Sequence, residues 1–181
     1  MKELLFTSRP LDRIPTDIAI IPVFEDVRPL RGAAGLIDWR LNGYISRLIL
    51  EKRFTGEFED VLLMPTGKRL LARQLVLFGV GPRQDFNDYL LPAVYRRILT
   101  MIANKRDTRF SFCLSDLIPE KFEWRNAVRK FVSKMFDYDI DFKITLSEEL
   151  AIIQEAKRRH MDFGLPLKTV YEIGEELSTA A

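Results

Sequence analysis

Few residues of this chain have side chains that could do chemistry, and they are scattered. A single histidine, His160, follows the basic string Lys157-Arg158-Arg159. Cationic side chains there offset the carbonyl dipole at a helix end, and one histidine excludes any site built on two. A single cysteine, Cys113 in FSFCL, rules out an intramolecular disulfide framework and a cysteine-based zinc site, and reads as a small buried hydrophobe. Carboxylates gather at Glu57, Glu59 and Asp60 and again at Asp137, Asp139 and Asp141, but neither group has the spacing of a calcium loop. Solvated loops account for both, so no metal site and no catalytic set is nominated. The chemistry that remains is anion binding by backbone N–H groups. Gly79-Val80-Gly81-Pro82-Arg83-Gln84 begins like a dinucleotide fingerprint, yet Gln84 stands where the third glycine belongs, and a structural turn explains it. Thr66-Gly67-Lys68 lacks the earlier glycine of a phosphate loop, and Arg69 replaces its Ser or Thr. It reads as a hairpin tip.

The elements that would position these residues alternate between strand and helix. Lys2 to Thr7 and Asp17 to Phe24 (DIAIIPVF) are apolar strand runs. Ile37, Leu41, Tyr44 and Leu48 recur at helical spacing and predict a helix from Leu36 to Lys52, with Gly43 inside it against a close-packed neighbour. Asp60 to Met64 and Arg69 to Phe78 flank a Pro65-Thr66-Gly67-Lys68 turn. A long helix is expected from Asp85 to Lys105, with Tyr89, Ala93, Ile98 and Ile102 inward and Pro92 as a kink or late start. A strand at Thr108 to Leu114, a helix at Glu120 to Met135 and a half-buried strand at Ile140 to Leu146 follow. Ser147-Glu148-Glu149 caps a helix running to His160, and Thr169 to Leu177 reads as a last short helix. The expected fold is α/β, a three-layer α/β/α domain with a mixed, largely parallel sheet.

Composition narrows the partners. The chain has 181 residues, is 47% hydrophobic, and balances 28 Lys and Arg against 26 Asp and Glu, for a net charge of +2. That apolar content builds a core, and so small a net charge gives no field that calls for nucleic acid or an anionic membrane. The basic helix ends (Arg96, Arg97, Lys105 and Arg106; Arg129, Lys130 and Lys134) read as solvated faces. No window is long and apolar enough for a membrane span, and no export signal is visible, so a cytoplasmic location is expected.

From DIAIIPVF, through LIDWRLNGYISRLI with Asp38, to EKRFTGEFEDVLLMPTGKRLLARQLVLFGVG, the chain resembles the N-terminal domain of the leucyl aminopeptidases. The likeness covers about residues 15 to 160. In that family the metal ions and catalytic residues belong to a second domain, whose string Asn-Thr-Asp-Ala-Glu-Gly-Arg is absent here, so no catalytic residue is carried over. The resemblance implies a macro-domain-like fold, a class that includes ADP-ribose binders. RGAAGLID, with Gly32, Gly35 and Asp38, is similar to that class's glycine-rich lead into a helix, and LVLFGVGP, with Gly79 and Gly81, to a strand ending before the next helix. Its ribose-contacting Asn pair is replaced by PVFEDVRP at 22 to 29, and its glycine-rich diphosphate loop by LSDLIPEKF at 114 to 122.

The expectation is a free-standing, non-catalytic relative of that domain, 1–162, followed by a C-terminal helical extension, 163–181. It would act as an interaction or assembly module through a protein partner or a homodimer. The alternative is a small anionic ligand, of nucleotide or ADP-ribose type, held near Gly32, Gly35, Asp38, Gly79 and Gly81. No cofactor and no metal are implied. The C-terminal segment from Leu146 to Ala181 carries two apolar stripes (Leu150, Ile153, Ala156 and Met161; Leu167, Val170, Tyr171 and Ile173) that must be covered by the domain's own sheet or by a second copy.

Overall fold

The computed structural model describes residues 1–105, 109–118, 122–159, 161 and 163–173. Strands β1 (Glu3–Thr7), β2 (Ile18–Phe24), β3 (Val61–Pro65), β4 (Gln74–Gly81), β5 (Arg109–Phe112), β6 (Lys143–Ser147) and β7 (Lys168–Glu172) form one seven-stranded sheet in the order β3-β4-β2-β5-β6-β1-β7. Every pairing is parallel except β3 with β4. The helices are α1 (Gly32–Arg40), α2 (Tyr44–Leu50), α3 (Leu91–Ala103), α4 (Trp124–Met135) and α5 (Leu150–Arg158).

Because strand side chains alternate, β2 serves both faces at once. Ala19, Ile21 and Val23 pack with Ala34, Ile37 and Ile45 of α1 and α2. Ile18, Ile20 and Phe24 join the larger core under α3, α4 and α5, where Phe131 meets Tyr95 and Phe112 edge-to-face at 5.2 and 5.3 Å. The expected three-layer α/β/α architecture with a mixed, largely parallel sheet is what the chain adopts.

Several boundaries move, each for a local reason. The helix expected from Leu36 to Lys52 breaks at Asn42 and Gly43, both left-handed at φ 56° and 73°. A Cβ on Gly43 would meet nothing within 4 Å, so glycine is there for its backbone angle and not for a close neighbour. The long helix begins only at Leu91, with Pro92 in its first turn, and Tyr89 is 93% exposed instead of facing inward. The second hairpin strand begins at Gln74 and not at Arg69. The connection is longer because Leu70 and Ala72 turn into the core and Thr66 Oγ1 donates to the Ala72 carbonyl at 2.6 Å. The strand expected from Ile140 runs from Lys143 to Ser147, and Ile144 to Ser147 are buried on both faces instead of alternating. The last expected helix is strand β7, which pairs with β1 so that Tyr171 stacks on Phe6 at 5.2 Å. Residues 174–177 of that expected helix, and His160, lie outside the described residues.

Truncating Phe131 to Ala removes the ring on which Tyr95 and Phe112 pack, and should cost about 3–5 kcal/mol in urea denaturation. Leu50→Ala, at a side chain 83% exposed, should stay within about 0.5 kcal/mol of the parent.

Candidate functional site

In sheets of this kind, ligands bind in the crevice beyond the carboxyl ends of the strands. Here that end carries a cavity of about 540 Å³ between the start of α1, the loop after β5 and the start of α4. Phe24, Phe122 and Trp124 supply aromatic walls, and Arg31 and Arg83 supply positive charge. The Arg83 guanidinium lies 4.9 Å from the centre of the Phe24 ring. Arg28 ties down the loop after β2, donating from Nη1 to the Phe24 and Val27 carbonyls at 2.7 Å each and from Nη2 to the Thr55 carbonyl at 3.1 Å. The indole Nε1 of Trp124 is buried and has no hydrogen-bond partner among the described residues.

Backbone donors at this end could hold an anion, but the chain's own carboxylates already take them. Asp116 Oδ2 accepts the Ala33 N–H at 2.6 Å, at the start of α1. Gly32 makes room for it, since a Cβ there would stand 2.2 Å from Asp116 Oδ1. In the turn after β4, the Arg83 N–H donates to Asp26 Oδ1 at 2.6 Å and the Gln84 N–H to Oδ2 at 3.3 Å. Glu148 Oε1 accepts the Leu114 N–H at 2.7 Å, and its Oε2 accepts the Ser115 hydroxyl.

The environments of these carboxyl groups differ. The Arg83 N–H holds Asp26, at the open rim, below its ordinary value. Burial outweighs the hydrogen bonds at the other two: Asp116 is raised, and Glu148 is pushed up to about 7. Burial also pushes the Cys113 thiol up, with the Glu148 and Asp116 carboxyls adding to it, so the sulfur is held as a thiol and is a poor nucleophile. Among the described residues no group of three or more His, Cys, Asp or Glu could hold a metal. No helix among them is long and apolar enough to cross a membrane.

The residues named from the sequence separate into different roles. Gly32 lines the cavity. Gly35 lets α1 lie against the Leu30 carbonyl, which a Cβ would approach to 2.7 Å. Asp38 accepts the Ser46 N–H at 3.0 Å and the Ser46 hydroxyl at 2.5 Å, capping α2. Gly79 lies against the loop at Gly56 and Glu57, where a Cβ would stand 1.9 Å from the Glu57 carbonyl oxygen, and the N–H of Gly81 (φ 81°) donates to the Gly56 carbonyl. Glu148, expected with Ser147 and Glu149 to cap the last long helix, instead serves the loop after β5, and the N-cap of α5 makes no side-chain bond. Sequence reasoning missed Asp26 and Asp116. The available signal was an acidic residue in PVFEDVRP and in LSDLIPEKF, the two strings that replace the ligand-contacting segments of the similar class.

The profile of the cytosol aminopeptidase family's N-terminal domain matches residues 20–138. A probable cytosol aminopeptidase of Sulfurihydrogenibium sp. is 27% identical over 151 residues, 81% of this chain and 29% of that protein. Another, from Alkaliphilus metalliredigens, is 27% identical over 182 residues, 96% of this chain and 36% of that protein. The chain thus spans about a third of the length of these relatives. Among solved structures, a Trypanosoma brucei macrodomain is similar at a TM-score of 0.67 and 13% identity, covering 86% of this chain and 66% of that one. An Oceanobacillus iheyensis macrodomain, a point mutant solved with ADPR, is similar at 0.59 and 18%, covering 86% and 92%.

Glu148 makes the site's energetics depend on pH. Its ordinary value is 4.5 and the folded domain holds it near 7, so the folded state keeps a proton that the unfolded chain releases. Stability should therefore fall as pH rises from about 4.5 to 7, by roughly 3 kcal/mol, and Asp116 adds in the same direction. Chemical denaturation across this window should show a clearly shallower fall for Glu148→Gln.

Proposed function

Because the chain belongs to the cytosol aminopeptidase family and forms that family's N-terminal domain, we propose that it carries no peptidase chemistry and acts through its surface, as an interaction or assembly module. One observation carries this reading: both backbone anion seats of the crevice hold the domain's own carboxylates, Asp116 at the start of α1 and Asp26 on Arg83 and Gln84. A nucleotide diphosphate entering there would meet like charge and would have to displace hydrogen bonds already made. Large apolar side chains stand on the outside instead, among them Trp39 at 68% and Leu71 at 58% exposed. A cytoplasmic setting, in keeping with the cytosol aminopeptidases it resembles, goes with this reading.

A ligand-binding reading has its own support in the aromatic walls, Arg31, Arg83 and the unpaired Trp124 indole, and in macrodomain neighbours solved with ADPR or ADP. Thermal melting separates the two. A ligand held at a hundredfold above its Kd would raise the Tm by about 5–10 °C. With millimolar ADP-ribose, ADP or phosphate, the expected outcome is no such rise, and an amino-acid amide incubated with zinc or manganese should stay intact. A rise of several degrees would transfer the assignment to the crevice.

A further inference from the structure

The antiparallel edge strand β3 is open, apolar and polarised in charge. In an antiparallel ladder every second residue turns its N–H and C=O toward its partner. The Asp60 carbonyl accepts from the Gly79 N–H at 2.7 Å and the Thr66 N–H donates to the Arg73 carbonyl at 3.2 Å, so Asp60 and Thr66 face β4. With β3 and β4 in unbroken register between them, Val61, Leu63 and Pro65 turn their backbone groups to the free edge. Their side chains share one face of the sheet, and Val61 and Leu63 are 40% and 46% exposed. The strand is acidic before it, at Glu57 and Glu59, and basic after it, at Lys68 and Arg69. All of these flanking residues are exposed, and among the described residues no ion pair engages them.

We infer that β3 is the contact between two copies of this chain, paired antiparallel about a two-fold axis at Leu63. This names the partner within the interaction reading and rests on it. An exposed edge would accept many strands, but this one matches itself. Antiparallel self-pairing sets the acidic end of each copy against the basic end of the other, whereas parallel pairing would set like charges together. The Leu63 N–H groups then donate to each other's carbonyls, and the Val61 N–H reaches the carbonyl of Pro65 in the second copy. Pro65 has no N–H to offer, so the Val61 carbonyl opposite it is left to water at each end of the contact, where proline is tolerated in an edge strand. The two exposed Val61–Leu63 faces continue one sheet across the axis.

Analytical ultracentrifugation over a concentration series tests this at low salt, with circular dichroism confirming that each variant is folded. The parent should shift from monomer to dimer as concentration rises. Leu63→Lys places two ammonium groups at the axis and should abolish the dimer. The paired reversals Lys68→Glu/Arg69→Glu and Glu57→Lys/Glu59→Lys should each weaken self-association by about tenfold or more. Mixed together, those two proteins should form a heterodimer, because each then meets its opposite at both ends. A parent that stays monomeric throughout, or a dimer indifferent to Leu63→Lys and to the charge reversals, overturns the inference. Either result leaves the crevice untouched, and the ligand melts decide that question separately.

Discussion

At the carboxyl end of a parallel sheet, chains leave their strands and enter helices, and the first N–H groups of each helix or turn have no partner in the ladder. Much of this domain is arranged around that shortage. None of the residues at the N-cap positions of α1 to α5 makes a side-chain cap. At the start of α1 a carboxylate supplied from elsewhere does the work, Asp116 on Ala33, and in the loops at this end Asp26 serves Arg83 and Gln84 and Glu148 serves Leu114. The device recurs at Asp38 with Ser46, Asp60 with Thr55, and Asp17 with Arg109. Each bond fixes a loop as well as a donor, so the crevice is shaped by the same groups that close it. Burial sets the cost, which falls on Glu148 and Asp116 and not on the exposed Asp26.

This arrangement separates fold from function. The backbone is macrodomain-like, at identities too low to carry more than the architecture. What an N-terminal domain of the cytosol aminopeptidase family does in this chain depends on side chains, and those at the crevice turn negative charge toward the positions where an anion would sit.

The elements legible in the sequence are those whose burial is simple. DIAIIPVF contains β2 (Ile18–Phe24), buried along its whole length, and the helix expected up to Met135 is α4, with Val128, Phe131, Val132 and Met135 in the core. The elements that cannot be read locally are those that tertiary contacts decide. Thr169 to Leu177 reads as a short helix, but Lys168–Glu172 becomes strand β7 because β1 offers it an edge and Phe6 offers Tyr171 a ring. Asn42-Gly43 breaks a helix whose apolar spacing continues across the break, because left-handed angles leave no mark on hydrophobic periodicity. The site was the least legible part. Gly32 stood out as a glycine, but what it makes room for is a carboxylate 84 positions away. Caps made at such distances have no local motif to read, unlike the Ser or Thr of a capping box.

The strand order also shapes how the chain can be made. In the sheet β1 lies between β6 and β7, whose pairings join Glu3 to Lys143 and to Lys168. During synthesis Leu4 and Phe6 therefore precede every strand that will flank them, by on the order of 10–30 s at ordinary elongation rates. Through that interval β2, β4 and β5 can assemble with α1 to α3, while the leading strand is left with apolar side chains and unpaired edges. Pairing β1 with β6 and β7 closes a loop that spans most of the chain. Non-local pairing of this kind slows folding, because the closure entropy is lost before the contacts form. A nascent copy of this domain is thus most exposed to chaperones, and to mispairing with other chains, just before its final strands emerge.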